Sequence, residues 1–103
     1  MLITTSEFVS GKNLHHLGLV QGSTVRAKNI GKAFIAGIRQ IGGGEIHEYT
    51  ELMYEARVDA TNRMIDSAQR LGADAIISTR YSTCSVMDGN SEVMAYGTAV
   101  KFV

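Results

Sequence analysis

Apolar and polar positions alternate in the first part of the chain, which predicts strands. Leu2–Thr5 is a short apolar and β-branched piece. Leu14–Lys28, with the sequence LHHLGLVQGSTVRAK, predicts two short strands around a turn at Gln21–Gly22. Glycine is a typical turn residue, whereas the alternating valine, leucine and threonine positions favour a half-buried sheet.

Two helical patterns follow these strands. Residues 29–44 predict a short helix that Asn29 caps and that three glycines end. A longer stripe predicts a second helix over Glu48–Leu71, with Gly72 as the residue that closes it. The apolar positions of this stripe are Tyr49, Leu52, Met53, Ala56, Ala60, Met64, Ala68 and Leu71.

From Ala73 the period changes to two, which predicts a β-hairpin. Ala73–Met87 forms a long strand, Asp88–Ser91 (DGNS) is a strong turn signal, and Glu92–Val103 returns antiparallel. No linker or low-complexity tract interrupts the chain. We therefore expect one α+β domain over residues 1–103: a two-layer sandwich of an antiparallel sheet with one long and one short helix.

The hairpin also carries the most suggestive chemistry, because it holds the single cysteine and two methionines. The turn places Cys84 opposite Ala95 and Met87 opposite Glu92. Side chains alternate along a strand, so Cys84 is expected on one face, with Met87 and Met94 on the other. These sulfur ligands could then meet around a soft metal ion only through a bulge between Cys84 and Met87. Otherwise the thiol is a small buried filler.

The same register gives the sheet two apolar faces of different kinds. One carries mostly small side chains: Ile76, Ser78, Ser82, Cys84, Val86, Val93, Ala95, Gly97 and Ala99. The other carries large ones: Ile77, Tyr81, Met87, Met94, Tyr96, Val100 and Phe102. One long helix can cover only one face, so we expect a second subunit to cover the rest. The pattern therefore predicts a homo-oligomer.

Composition narrows the class of protein. Ten basic residues balance ten acidic ones in 103 residues, so the chain lacks the charge of a nucleic-acid or anionic-membrane binder. A single cysteine fits a reducing compartment, and neither a signal peptide nor a membrane span is expected. These features favour a cytoplasmic protein.

Three histidines add candidate metal ligands. His15 and His16 are adjacent on a predicted strand, so their rings diverge within one chain, although symmetry-related copies could still collect a metal. His47 and Glu51 are one helical turn apart, an acceptable ligand pair for zinc or iron, but acidic residues also favour a helix start. Cys84, His15, His16 and His47 are thus the candidates for a divalent or soft metal ion.

An enzyme remains the other class to consider. The chain contains no nucleophile elbow, and Cys84 has no histidine near it in sequence. No catalytic residue is therefore assigned. An intersubunit active site would have to be built from charged and aromatic residues of the long helix: Glu48, Glu51, Tyr54 and Arg57.

The order of motifs over nearly the whole chain resembles the YbjQ-like family of small bacterial proteins of unknown function. The matching positions are Ile3–Thr5, Gly11–Lys12, Gly18, Val20, Gly22, Asn29–Ile30, Ile38–Arg39, Gly42–Gly43, Tyr49, Leu52, Ala56–Arg57, Ala60, Leu71–Ile77 and Gly97–Val100. The resemblance implies a dodecin-like fold and a ring-shaped homo-oligomer, a pentamer, in which short strands join neighbours.

The family also carries a heavy-metal-binding label, but Cys84, His15 and His16 do not fall on the positions that carry the resemblance. Our first hypothesis is a non-enzymatic homo-oligomer that binds a small ligand or ion at the ring centre or between subunits. The alternatives are a heavy-metal-binding protein with His and Cys ligands across subunits, and an enzyme with an intersubunit site.

Overall fold

The computed structural model describes residues 1–27, 45–87 and 90–103. Its elements are β1 (Leu2–Ile3), β2 (Leu14–Ala27), α1 (Glu45–Arg70), β3 (Ala75–Met87) and β4 (Asn90–Phe102). The predicted long helix, hairpin strands and N-terminal strand are all present within a few residues of their expected bounds. The predicted short helix over residues 29–44 lies outside the described residues.

The four strands form one sheet in the order β1-β3-β4-β2. β4 pairs antiparallel with both β2 and β3, whereas β1 pairs parallel with β3. The α+β class is confirmed, but the sheet is mixed, so the prediction of an antiparallel sheet is wrong at this one edge. A strand of two residues is too short for its sequence to indicate its partner or its direction.

β2 is one continuous strand of 14 residues, so the predicted turn at Gln21–Gly22 is wrong. Gly22 lies directly beneath α1. A Cβ atom there would overlap the Met64 backbone nitrogen and the Ala60 carbonyl oxygen, and would lie 2.7 Å from the Arg63 carbonyl carbon. The glycine therefore permits close helix–sheet contact, a role that sequence alone does not distinguish from a turn.

The small-residue face of the sheet packs against α1, as the pattern predicts. The shared core consists of Val20, Ala56, Ala60, Met64, Ala68, Ile76, Val93, Ala95 and Ala99. Most of these side chains are alanine or valine, so the helix backbone approaches the strands closely. α1 contacts β2 and β4 extensively and β3 least, which leaves part of β3 without helical cover.

The end of α1 is a Schellman motif centred on Gly72. Its φ of 78° is left-handed, the Gly72 N–H donates to Gln69 O (3.0 Å), and the Ala73 N–H donates to Ala68 O (3.1 Å). The predicted helix end is therefore confirmed.

In the described parts of the chain, no helix has both the length and the apolar character required to cross a bilayer.

An extra residue in β3 changes which side chains face the helix. Ile77 pairs with Thr98 and Arg80 with Tyr96, so two residues of β3 lie opposite one residue of β4. Ser78 at this bulge has a φ of 53°, a conformation uncommon for residues other than glycine. Beyond the bulge the alternation is reversed relative to the prediction.

The N-terminal segment covers one end of the second sheet face. The Ser78 N–H donates to Ser6 O (2.9 Å) and the Thr79 N–H donates to Thr4 O (3.0 Å), which attaches this segment to β3. A second core forms there from Ala75, Ile77 and Val100, with Val9, Leu14 and Phe102 packed against it. One chain thus covers part of the face for which the sequence predicts a subunit partner.

The rest of that face carries exposed apolar side chains. Val20, Gly22 and Thr24 of β2 are buried toward the helix, so Leu19 and Val25 lie on the opposite face, where they are 70% and 53% exposed. The large side chains of the hairpin that are predicted for this face and found there are buried or half-buried: Ile77, Met94, Tyr96, Val100 and Phe102. Exposed apolar surface on this face thus comes from β2 rather than from the hairpin.

The contact at Gly22 generates a stability prediction. Gly22→Ala should lower the free energy of unfolding by about 2–3 kcal/mol, because the added methyl group overlaps helix backbone rather than a movable side chain. Chemical denaturation followed by circular dichroism measures the loss. The control, Gln21→Ala at the exposed neighbouring position, should change stability by about 0.5 kcal/mol or less. Equal stability of the two variants would contradict the role of Gly22.

Candidate functional site

Cys84 lies near the hairpin end of β3, on the face of the sheet away from α1. It pairs with Glu92 of β4, and its thiol donates to Glu92 Oε1 at 3.8 Å. Val93 is buried against the helix, so its neighbour Glu92 and the paired Cys84 face the other way. Cys84 is exposed. The predicted placement of Cys84 on the small-residue face is wrong because of the bulge at Ser78–Thr79. Its predicted pairing with Ala95 is wrong because the register differs at the hairpin end, where Met87 pairs with Asn90.

The reversed alternation brings Cys84 to the same face as Met94. Met94 pairs with Ser82, two residues from Cys84, so the two are diagonal neighbours at roughly 7–8 Å. A second register shift lies between Ser85 and Met87, where the sequence required a bulge for the sulfur ligands to meet. Met87 itself pairs with Asn90, and its side chain is outside the described part of the structure.

The histidines lie far from Cys84 within one chain. His15 pairs with Lys101 and His16 with Val100, at the opposite end of β4 from Glu92. Nine residues separate Lys101 from Glu92, which corresponds to roughly 30 Å at about 3.3 Å per residue. His47 is in the first turn of α1, on the other side of the sheet from Cys84, and its side chain is not described.

A single chain therefore offers a thiol and a carboxylate at the hairpin end. Within residues 1–27, 45–87 and 90–103, His, Cys, Asp and Glu side chains form no group of three that could hold a metal ion. A metal bound at Cys84 would need additional ligands from water or from another subunit, since zinc-type sites have four. The cross-subunit metal site stays a prediction.

A separate cleft lies on the helix side of the sheet, between α1 and the uncovered part of β3. Its volume is about 280 Å³, and its lining residues are Tyr54, Arg57, Val58, Thr61, Asn62 and Tyr81. Tyr81 reaches the helix through a 2.8 Å hydrogen bond between its hydroxyl and Thr61 Oγ1. The predicted placement of Tyr81 on the large-residue face is therefore wrong, for the same reason as that of Cys84.

Two of the four residues considered for an enzyme, Tyr54 and Arg57, meet in this cleft. Glu51 is exposed on α1 and is not part of the lining, and the side chain of Glu48 is not described. Sequence analysis missed Glu92, Thr61 and Tyr81 as site residues. Helical spacing from Arg57 could have indicated Thr61, whereas Glu92 and Tyr81 depend on the hairpin register, which differs from the predicted one.

The comparisons with known proteins agree on the family of the chain. A family model described as "Putative heavy-metal-binding" (YbjQ) matches residues 1–103. A UPF0145 protein of Dehalococcoides mccartyi is 55% identical over 101 residues, 97% of each chain. UPF0145 proteins of Clostridium novyi (48%, 100% of each chain) and Archaeoglobus fulgidus (50%, 98% of this chain and 94% of the relative) are also similar. Such relatives occur in archaea as well as bacteria.

A solved structure shows the same fold. The protein of unknown function from Pediococcus pentosaceus, which belongs to the DUF74 family, superposes with a TM-score of 0.71. It shares 19% identity with this chain and covers 100% of it, as well as 98% of its own length. At this identity the similarity concerns the fold alone.

The exposure of Cys84 gives a direct prediction. In metal-free single chains, iodoacetamide should add one adduct per chain at a rate close to that of the unfolded chain, because Cys84 is solvent-exposed when no neighbouring subunit covers it. Mass spectrometry counts the adducts, and Cys84→Ser provides the blank. A thiol that stays protected until denaturant is added would contradict this placement.

Proposed function

The chain belongs to the YbjQ family, and on that premise we propose that it is a non-enzymatic homo-oligomer that binds a heavy-metal ion between subunits. The family description supports metal binding as the activity, and the names of the relatives state no enzymatic reaction. The ion is cargo rather than a catalyst, with Cys84 as the soft ligand.

The pairing of Cys84 with Glu92 is the observation that carries this proposal. A thiolate is the side chain that selects soft ions such as Cu(I) and zinc-group metals, and a carboxylate beside it adds a charged second ligand. The two atoms are 3.8 Å apart and exposed, so one ion could contact both after a small side-chain movement. Met94, on the same face, offers a thioether nearby.

One subunit supplies too few ligands, which connects metal binding to assembly. The missing ligands of a three- or four-coordinate site would come from a neighbour, and His15 and His16 are candidates on β2. Each lies near one end of the sheet, whereas Cys84 lies near the other. A Cys–His site therefore requires opposite ends of two neighbours to meet. A two-fold dimer could make that contact reciprocally, whereas a head-to-tail arrangement of the same contact forms a ring when the rotation between subunits closes. We propose the head-to-tail arrangement.

The shape and surface of the chain support an oligomer independently of the metal. Its radius of gyration is 17.0 Å, compared with about 13 Å for a compact globule of 100 residues. Leu19 and Val25 expose apolar surface on the face that α1 does not cover. A pentamer is the specific assembly that we propose, as the family resemblance implies.

Metal binding is expected to depend on Cys84. Titration of the native oligomer with Cd²⁺ should reach a defined stoichiometry with sulfur-to-metal charge-transfer absorption, and Cys84→Ser should abolish that absorption. Glu92→Gln should weaken binding by at least about 10- to 100-fold, because loss of a group that only supports a metal ligand already costs that much. The control is Ser82→Ala, a neutral change at an exposed position on the same face. Undiminished binding by Cys84→Ser would exclude this site.

Assembly is expected to depend on the exposed sheet face. Light scattering should give the native protein five times the chain mass of 11.1 kDa. Leu19→Lys should shift that mass toward the monomer, because a charge replaces an apolar contact. Gln69→Lys adds the same charge on the exposed surface of α1 and should leave the mass unchanged. A monomeric native protein would contradict the proposal at once.

A further inference from the structure

We propose that the cleft between α1 and β3 is a second binding site, which takes a small aromatic anion. It goes beyond metal binding, since it lies on the opposite side of the sheet from Cys84. Its helical part is a single stripe of residues one turn apart: Tyr54, Arg57, Val58, Thr61 and Asn62. Tyr81 closes it from β3.

The cleft exists because the helix covers the sheet unevenly. α1 lies mainly over β2 and β4, and the bulge at Ser78–Thr79 turns Tyr81 toward the helix side. Thr61 Oγ1 donates to Arg57 O at 2.7 Å, so the Tyr81 hydroxyl must be the donor in its 2.8 Å contact with Thr61. This hydrogen bond fixes the Tyr81 ring across the gap as one wall of the cleft.

The exposed lining is aromatic and apolar. Tyr54 is 61% exposed, Tyr81 48% and Val58 39%, so two rings and an isopropyl group face solvent within one small area. Aromatic rings recognise other rings by offset or edge-to-face stacking, which contributes beyond the burial of apolar area. A planar ring between the tyrosines would therefore remove the most unfavourable surface of this region from water.

The charge and the volume of the cleft indicate which ligands it can bind. Arg57 is the only charged residue of the lining, so the described cleft has a net positive charge and favours an anion. Its guanidinium is a planar donor that suits a carboxylate or a phosphate. A volume of about 280 Å³ lies just below the usual range of ligand pockets. It suits a single ring with one anionic group and excludes a dinucleotide.

The test is an NMR titration of the assembled protein with benzoate. Benzoate should perturb the amides of residues 54–62 and Tyr81, with saturable affinity. Arg57→Gln should weaken it by about tenfold or more, the cost of one charged hydrogen bond. Arg70→Gln, an exposed change at the far end of α1, should not. Tyr54→Ala should weaken binding, whereas Tyr54→Phe, which keeps the ring, should not.

Matched probes make the ligand class falsifiable. Cyclohexanecarboxylate lacks the aromatic ring and benzyl alcohol lacks the charge, so both should bind more weakly than benzoate. The affinities of phenyl phosphate and benzoate, measured side by side, show whether Arg57 prefers a phosphate or a carboxylate. The proposal is overturned if benzoate does not bind to the assembled protein, for example because a neighbouring subunit fills the cleft. It is also overturned if benzoate perturbs residues outside the cleft, or if it binds Arg57→Gln as tightly as the native protein. Cys84→Ser should retain benzoate binding, so this result is separable from that of the metal site.

Discussion

Close contact between the helix and the strands beneath it determines most of this structure. The contact is possible because Gly22 has no side chain and because Ala56, Ala60, Ala95 and Ala99 present only methyl groups. A helix that lies this close to the strands leaves little space to fill, so the shared core needs few large side chains besides Met64 and Ile76. The cost is coverage, because a single helix seated on β2 and β4 leaves part of β3 uncovered. It also leaves the second face to other partners, apart from the end that the N-terminal segment covers.

The bulge at Ser78–Thr79 then decides which chemistry lies on which side. A strict alternation would put Cys84 under the helix and Tyr81 outside. One extra residue exchanges them, so the thiol meets Glu92 on the open face and the phenol meets Thr61 beside α1. A one-residue shift moves every later side chain to the other face. Both candidate sites therefore depend on the same local irregularity.

The periodicity of apolar residues is sufficient to predict the long helix and the hairpin strands, but it is insufficient to predict how the hairpin strands pair. The apolar residues repeated every 3.6 positions predict α1 and its end at Gly72, and those repeated every two positions predict the hairpin strands. Both predictions are correct because each pattern extends over many residues. The small-residue face of β4 also followed from alternation. A bulge changes alternation without changing composition, so the faces of Cys84 and Tyr81 were wrongly predicted. Gly22 was mistaken for a turn residue, because a turn and a close approach both require glycine.

The separation of the two sites across the sheet has a thermodynamic consequence. Cys84 and Arg57 lie on opposite faces, so a cation at one and an anion at the other do not compete for ligands or space. The most direct connection between them is β3, whose bulge orients both Cys84 and Tyr81. The physical basis for coupling along a strand is a second arrangement of that strand whose population both sites shift. Because β3 is hydrogen-bonded to β4 along most of its length, we expect the two sites to act independently within one subunit. Cooperativity would then have to arise between subunits, where the proposed metal site is completed.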